Sequence, residues 1–451
     1  MELEFIKSST VLVRDGDTEV LCDPWLIDGA YYGSWAHYPP VDFDLEDYSD
    51  VDYIYVSHIH PDHIQEETFD HLNSDIPVII HDFQFDFLKK NVERMGFDVI
   101  ELPHNERTHL DGDLFINVLA ADNCDPEACG SFFGCDWLDD STEDYGSSQI
   151  DTMAVFDNGN STLVNTNDCP FELSRPAAEN ILNDYGHINY LLTSFAGAGP
   201  YPQCFENLTE RKKEREAENK KRDFLQKTEN YVNLFKPDYF TLFAGIYVLQ
   251  GKLAELNKYR GVPTRGEAAE LLQQRGNINL EEHECILLNS QTIFDVEEGK
   301  ASETYTEVDK DWLREYIDTE LKGRKYSYED ADRPSLDDLK EYIPAAYERM
   351  DEKRTQLGFK SDMDIIVDLC DGGCAQVSMS GDGYEFMTVD EARQNEQYVK
   401  YDVDPRLLQR ILQGPQYAHW NNAEIGSHIT FERKPDKFER PLYYCMNFFH
   451  A

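Results

Sequence analysis

Three imidazoles and a carboxylate crowd into one short segment, Ser57-His58-Ile59-His60-Pro61-Asp62-His63, which follows the nearly apolar run Val51–Val56. A run of that kind reads as a buried strand, so the polar segment leaves its end as a loop. His58 and His60 are two apart. In an extended chain both side chains then leave the same face and can meet one cation at about 2.0 to 2.1 Å. Pro61 suits the first turn of a following helix, which turns Asp62 and His63 toward a second cation. The expected ligands are His58, His60, Asp62 and His63, and neutral imidazoles with carboxylates suit zinc, iron or manganese better than calcium or magnesium. One or two transition-metal ions are therefore the expected cofactor, with Asp62 doubling as the group that orients or deprotonates a metal-activated water.

The surrounding pattern has to position that loop. Short β-runs at Leu3–Ile6, Thr10–Val13 and Glu19–Cys22 surround the turn Asp15-Gly16-Asp17. Further strands are expected at Val78–His81, Phe97–Leu102, Leu114–Ala120, Thr152–Phe156, Ser161–Asn165 and Tyr190–Ser194, with helices at Phe83–Gly96 and Pro176–Tyr185. Asp157-Asn158-Gly159-Asn160 is a hairpin signal. This interleaving predicts an α/β fold, an αβ/βα sandwich over residues 1–260. Residues 206–235 read as one long charged helix, either a solvated face or a basic arm that acts as a lid or binds a partner. Residues 261–334 read as a connector, and 335–451 as a smaller C-terminal α/β domain. Within that domain, Ser335–Leu357 should be helical and broken at Pro344, with strands at Met363–Asp368, Ala375–Met379, Tyr398–Asp402 and Leu442–Phe449 and a helix at Pro405–Leu412.

Several motifs resemble the metallo-β-lactamase superfamily, in the branch that contains CMP-N-acetylneuraminate hydroxylase. The His-x-His-x-Asp-His segment is one; Asp23-Pro24-Trp25-Leu26 after the first hairpin is another. Ser194-Phe195-Ala196-Gly197, Phe243-Ala244-Gly245 and His419-Trp420-Asn421-Asn422 extend the likeness. The resemblance implies that Asp168, ending Asn165-Thr166-Asn167-Asp168, bridges two metals. It also exposes departures. Where the superfamily places a third histidine, the chain reads Ala121-Asp122-Asn123-Cys124, so Asp122 or Cys124 is the expected substitute, and Phe243-Ala244-Gly245 offers no ligand where a last histidine usually stands. His104, His109 and His187 are further histidines on loops. No Cys-x-His followed by Cys-x-x-His occurs, so the Rieske cluster of the animal hydroxylase is not encoded in this sequence. Cys124, Cys129 and Cys135 match no zinc-ribbon or ferredoxin spacing.

Composition limits the partners. The net charge of −47, from 88 acidic against 41 basic residues, is spread along the chain rather than held in a tail. A surface of this kind repels phosphate backbones and suits a salt-rich cytoplasm, so nucleic acid is not expected as a partner. No stretch of about 18 apolar residues suggests a membrane span, and Met1-Glu2-Leu3-Glu4-Phe5 is unlike a secretory signal. A halophilic, cytoplasmic protein is expected. Three functions compete: a metal-dependent hydrolase of an ester, amide or phosphoester; an iron oxygenase acting on a sugar or nucleotide sugar, drawing electrons from a separate partner; and a binding protein without turnover.

Overall fold

The computed structural model describes residues 1–123 and 151–451. Cys124, Cys129 and Cys135 lie outside the described residues. The strands Glu2–Lys7, Thr10–Asp15 and Thr18–Cys22 form an antiparallel meander, to which Tyr53–Tyr55, Val78–His81 and Val99–Leu102 add in parallel. A second sheet holds the antiparallel strands Thr108–His109, Phe115–Ala120, Thr152–Asp157 and Thr162–Asn165, then the parallel strands Tyr190–Ser194, Tyr239–Phe243 and Glu284–Ile286. Alternation decides which side chains meet between the sheets: Leu3, Val11, Val13 and Val20 from one pack against Ile116, Val118, Phe156 and Leu192 from the other. Helix Phe87–Arg94 covers the outer face of the first sheet, and Phe171–Tyr185, Glu210–Phe235 and Arg265–Arg275 cover that of the second. The result is the expected αβ/βα sandwich.

Within the stretch read as a connector, residues 284–301 instead complete both sheets. Glu284–Ile286 joins the second, and Thr292–Asp295 pairs antiparallel with Glu2–Lys7, with Lys300–Ala301 outside it. The polar composition there reflects edge strands, half of whose side chains face water.

The C-terminal sheet runs in the order Tyr384–Thr388, Gly373–Val377, Asp364–Cys370, Tyr398–Val403 and Ile429–Lys434. Helix Pro405–Leu412 opens on Pro405 with Asp404 as its cap and buries Leu407, Leu408, Ile411 and Leu412. The expected helix over Ser335–Leu357 is two, Leu336–Lys340 and Ile343–Gln356, with Pro344 in the first turn of the second. The strand expected at Leu442–Phe449 is a correction: Arg440–Met446 is a helix. Pro441 in its first turn presets the backbone, and Leu442, Tyr443, Cys445 and Met446 form one buried helical face rather than an alternating strand. Ile429–Lys434 takes the edge of the sheet instead.

The long helix Glu210–Phe235 is not simply a solvated rod. Lys213, Lys220 and Lys227, seven residues apart and so on one face, donate to the main-chain carbonyls of Gln203, Gly199 with Tyr201, and Asp168. Its N-terminal turn is capped by the Thr209 hydroxyl. Among the described residues, no helix is long and apolar enough to cross a membrane.

Candidate metal centre

The His58–His63 loop leaves the strand Tyr53–Tyr55 at the sandwich edge, and hydrogen bonds fix it there. The Tyr55 phenol and the Thr152 hydroxyl lie 2.8 Å apart, and Thr152 donates to the Ser57 carbonyl at 2.7 Å, tying the loop to the second sheet. Ser9 donates to the Asp62 carbonyl at 2.5 Å.

Asp23 sets the tautomers. It accepts the Ser57 main-chain N–H at 2.7 Å and the Ser57 hydroxyl at 2.8 Å, so that hydroxyl is left to accept from Nδ1 of His58 at 2.9 Å. The second Asp23 oxygen also lies 3.0 Å from Nδ1 of His63. Both rings then carry their proton on Nδ1. Their Nε2 atoms, fully buried and without a hydrogen-bond partner, point lone pairs into a common space. Two buried unpaired nitrogens side by side are costly unless a cation takes both lone pairs.

Two triads of donors face that space. Ligand atoms of His58, His63 and Asp168 all lie within 4.8 Å of one another, as do those of His58, His60 and Asp151. Nε2 of His63 is 3.7 Å from an oxygen of Asp62 and 3.7 Å from one of Asp168; Nε2 of His58 is 3.8 Å from Asp151. Nε2 of His60 is taken up by Asn421 at 2.9 Å, which leaves Nδ1 to face the pocket. Among the described residues no Lys or Arg side chain pairs with Asp23, Asp62, Asp151 or Asp168. The charges respond accordingly. Burial pushes the Asp62 and Asp151 carboxyls up, and it pushes the His58 imidazole well down, helped by His63. His63 resists the same burial and is held well above its ordinary value by Asp23, Asp62 and Asp168, and Asp168 is in turn held far below the carboxylate range by His63. Buried imidazole lone pairs beside carboxylates that no Lys or Arg side chain pairs with make a donor set that fits a transition metal.

The other sequence candidates lie apart. Asp122 is buried near His104 and belongs to neither triad; Nε2 of His104 is bonded to Asn123 at 3.0 Å. His109 is bonded to the Gly112 carbonyl and His187 to Asp238. Cys169, next to Asp168, is a buried free thiol. In the C-terminal unit Trp420 is buried and donates to the Phe449 carbonyl, and Arg433 pairs with Asp436.

Four contributors were not read from the sequence as site residues. Asp151 directly precedes the strand Thr152–Asp157, whose hairpin partner ends at Asn165. The hairpin alone therefore puts Asp151 and Asp168 at one sheet edge, a signal that was available. Asp23 lies in the quoted Asp-Pro-Trp-Leu motif. Tyr31 donates to Asp62 at 2.5 Å from a left-handed backbone, φ 55°, which is held by His428 donating to its carbonyl at 2.8 Å. Asn421 comes from the C-terminal helix Trp420–Ile425, so the second unit closes one side of the centre.

Asp23→Asn is expected to weaken transition-metal binding by about 10- to 100-fold with little change in melting temperature. An amide would present an N–H toward one of three donors that need an acceptor. Metal titration of the stripped protein checks this; unchanged affinity would remove Asp23 from the centre.

No protein-family model matches the chain. It is 25% identical to a protein of Mycobacterium tuberculosis named as a Rieske 2Fe-2S iron-sulfur protein, over 51% of this chain and 41% of that one. It is 25% identical to the cytidine monophosphate-N-acetylneuraminic acid hydroxylase of Danio rerio, over 54% of this chain and 38% of the relative. The chain thus spans less than half the length of these curated relatives. Among solved structures, an isothiocyanate hydrolase from Delia radicum gut bacteria aligns with 65% of this chain and 99% of its own, at a TM-score of 0.43 and 14% identity. The sequence likeness to the hydroxylase holds in these comparisons.

Proposed function

We propose that the chain is a metal-dependent hydrolase acting on an ester, amide or phosphoester bond of a small molecule. The observation that carries this reading is the pair of partnerless Nε2 atoms of His58 and His63, ringed by Asp62, Asp151 and Asp168, whose carboxylates pair with no Lys or Arg side chain among the described residues. His58, His60 and Asp151 would surround one ion position and His58, His63 and Asp168 a second, with Asp168 as the bridge and Asp62 beside the second. A divalent transition metal bound there would lower the pKa of a coordinated water toward about 7 and polarise the scissile bond. Asp62 would orient that water or take its proton. Tyr31 fixes which oxygen does so, because its phenol occupies Oδ1 and leaves Oδ2 facing His63. Asn421 holds the His60 ring.

Protein purified in molar potassium chloride should contain stoichiometric zinc or manganese and cleave 4-nitrophenyl acetate or bis(4-nitrophenyl) phosphate equally well with and without oxygen. Asp62→Asn should lower kcat by about 10²- to 10⁴-fold, the usual contribution of a general base. Cleavage that survives complete metal removal would overturn the reading.

A second reading has its own observation. Three carboxylates to three imidazoles is an oxygen-rich set that suits iron as well as zinc, and curated relatives include hydroxylases. An oxygenase would act on a sugar or nucleotide sugar and draw electrons from a separate protein. Bound iron with oxygen-dependent turnover selects it over the hydrolase.

A further inference from the structure

Beside the metal centre lie two cations that, among the described residues, pair with no carboxylate, in a chain with 88 acidic residues. Arg260 is 7% exposed, and its Nε and Nη1 atoms are buried without a hydrogen-bond partner. Its guanidinium lies 4.4 Å over the Tyr247 ring. Lys220, on the inner face of the long helix, reaches only the carbonyls of Gly199 and Tyr201, at 3.3 and 3.4 Å. The two cations are near enough to repel each other: after burial itself, Arg260 is the main influence pushing the Lys220 ammonium down to about 7.

The surroundings hold other polar atoms without partners. Gln203, which shares the Gly199 carbonyl with Lys220, has a buried amide oxygen without a partner, and so has the Tyr247 hydroxyl. Tyr247 stacks on Trp35 at 3.4 Å, Trp35 touches Tyr31 at 4.5 Å, and Tyr31 holds Asp62. Tyr247 also lies within electrostatic reach of Asp62. Arg260 therefore lies against an aromatic layer that reaches the metal ligands. Next to it is Gly261, at φ 71°, where any Cβ would come within 2.4 Å of the Ala217 carbonyl on the long helix. That close approach keeps Arg260 against the helix that carries Lys220.

Burying a guanidinium with two donors left without a hydrogen-bond partner is costly unless an acceptor arrives. Structural arginines elsewhere in this chain show the alternative. Arg275 is bidentate to Glu229, and Arg406 to Asp404. We propose that Lys220 and Arg260 form an oxyanion subsite that takes a carboxylate or phosphate group of the small molecule on which the metal centre acts. The role as a substrate subsite rests on the metal-centre reading; the anion site itself does not.

Inorganic phosphate and acetate are the probes, titrated calorimetrically into the metal-stripped full chain in molar potassium chloride. Saturable 1:1 binding is expected, and the tighter of the two names the group. Arg260→Gln and Lys220→Met should each weaken it by at least about tenfold, the loss expected for a charge-assisted hydrogen bond. Lys213→Met, one heptad away on the same helix face, should leave it unchanged. If Arg260→Gln does not fold, Lys220→Met carries the test, since that side chain reaches only two carbonyls. His58→Ala separates the two readings: it should lose metal and keep phosphate or acetate binding, whereas Arg260→Gln should keep metal and lose the anion. No saturable binding of either anion to the stripped wild type, or equal binding by the folded variants, would overturn the subsite and leave the metal centre untouched.

Discussion

His58→Ala is expected to empty the whole metal centre, whereas Asp168→Ala is expected to empty half of it. His58 belongs to both donor triads, and its Nε2 atom is one of the two buried nitrogens with no other partner. Removing it leaves neither triad complete, so the affinity at both positions should fall by more than the roughly 10- to 100-fold that follows loss of a residue that merely orients a ligand. Asp168 belongs only to the triad with His63, and its carboxylate is more exposed, 40% against 13% for Asp151. Without it, His58, His60 and Asp151 still surround one ion. Elemental analysis of protein purified in molar potassium chloride should therefore give no transition metal for His58→Ala and one equivalent for Asp168→Ala, if the wild type gives two. Circular dichroism on the same samples separates loss of metal from loss of fold. Two equivalents retained by Asp168→Ala would remove it from the centre, and full occupancy in His58→Ala would end the metal reading altogether.

The half of the centre legible in the sequence is the half made by neighbours. His58, His60, Asp62 and His63 are contiguous, and the strand before them has a pattern that a reader can place. Asp168 followed from resemblance. Asp151 could have been placed by the hairpin Thr152–Asp157 to Thr162–Asn165, since both ends of a hairpin return to one edge, but no histidine marked it. Asn421 could not: it meets His60 across 361 residues, through docking of two units, and no local period encodes that. The pair Arg260 and Lys220 is similar, because a charge run in sequence does not disclose which lysines turn inward. The helix Arg440–Met446 was misread for a different reason. Seven residues rich in aromatic and apolar types satisfy strand and helix patterns alike, and only Pro441 in the first turn argues between them.

Dilution from molar potassium chloride to about 0.1 M is expected to lower the melting temperature by at least about 10 °C, the shift that roughly 3–5 kcal/mol produces in domains of a few hundred residues. The net charge of −47 leaves most carboxylates with no cation to meet. One surface hollow gathers Asp15, Asp17, Asp52, Asp111 and Asp113 with no Lys or Arg in its lining. Salt at about 1 M shortens the screening length to about 3 Å, less than the spacing of such groups; at about 0.1 M it is near 10 Å and each carboxylate feels several others. Folding concentrates these charges, so the unscreened repulsion acts mainly on the folded state. The metal centre should respond in the opposite direction. Its carboxylates attract a cation more strongly when screening weakens, so metal affinity should rise as the fold loosens, until unfolding releases the ion. Melting curves on stripped and metal-loaded protein across the same salt series check both. A melting temperature indifferent to salt in the stripped protein would refute the screening account, while a salt effect confined to the loaded protein would trace it to the centre instead of the surface.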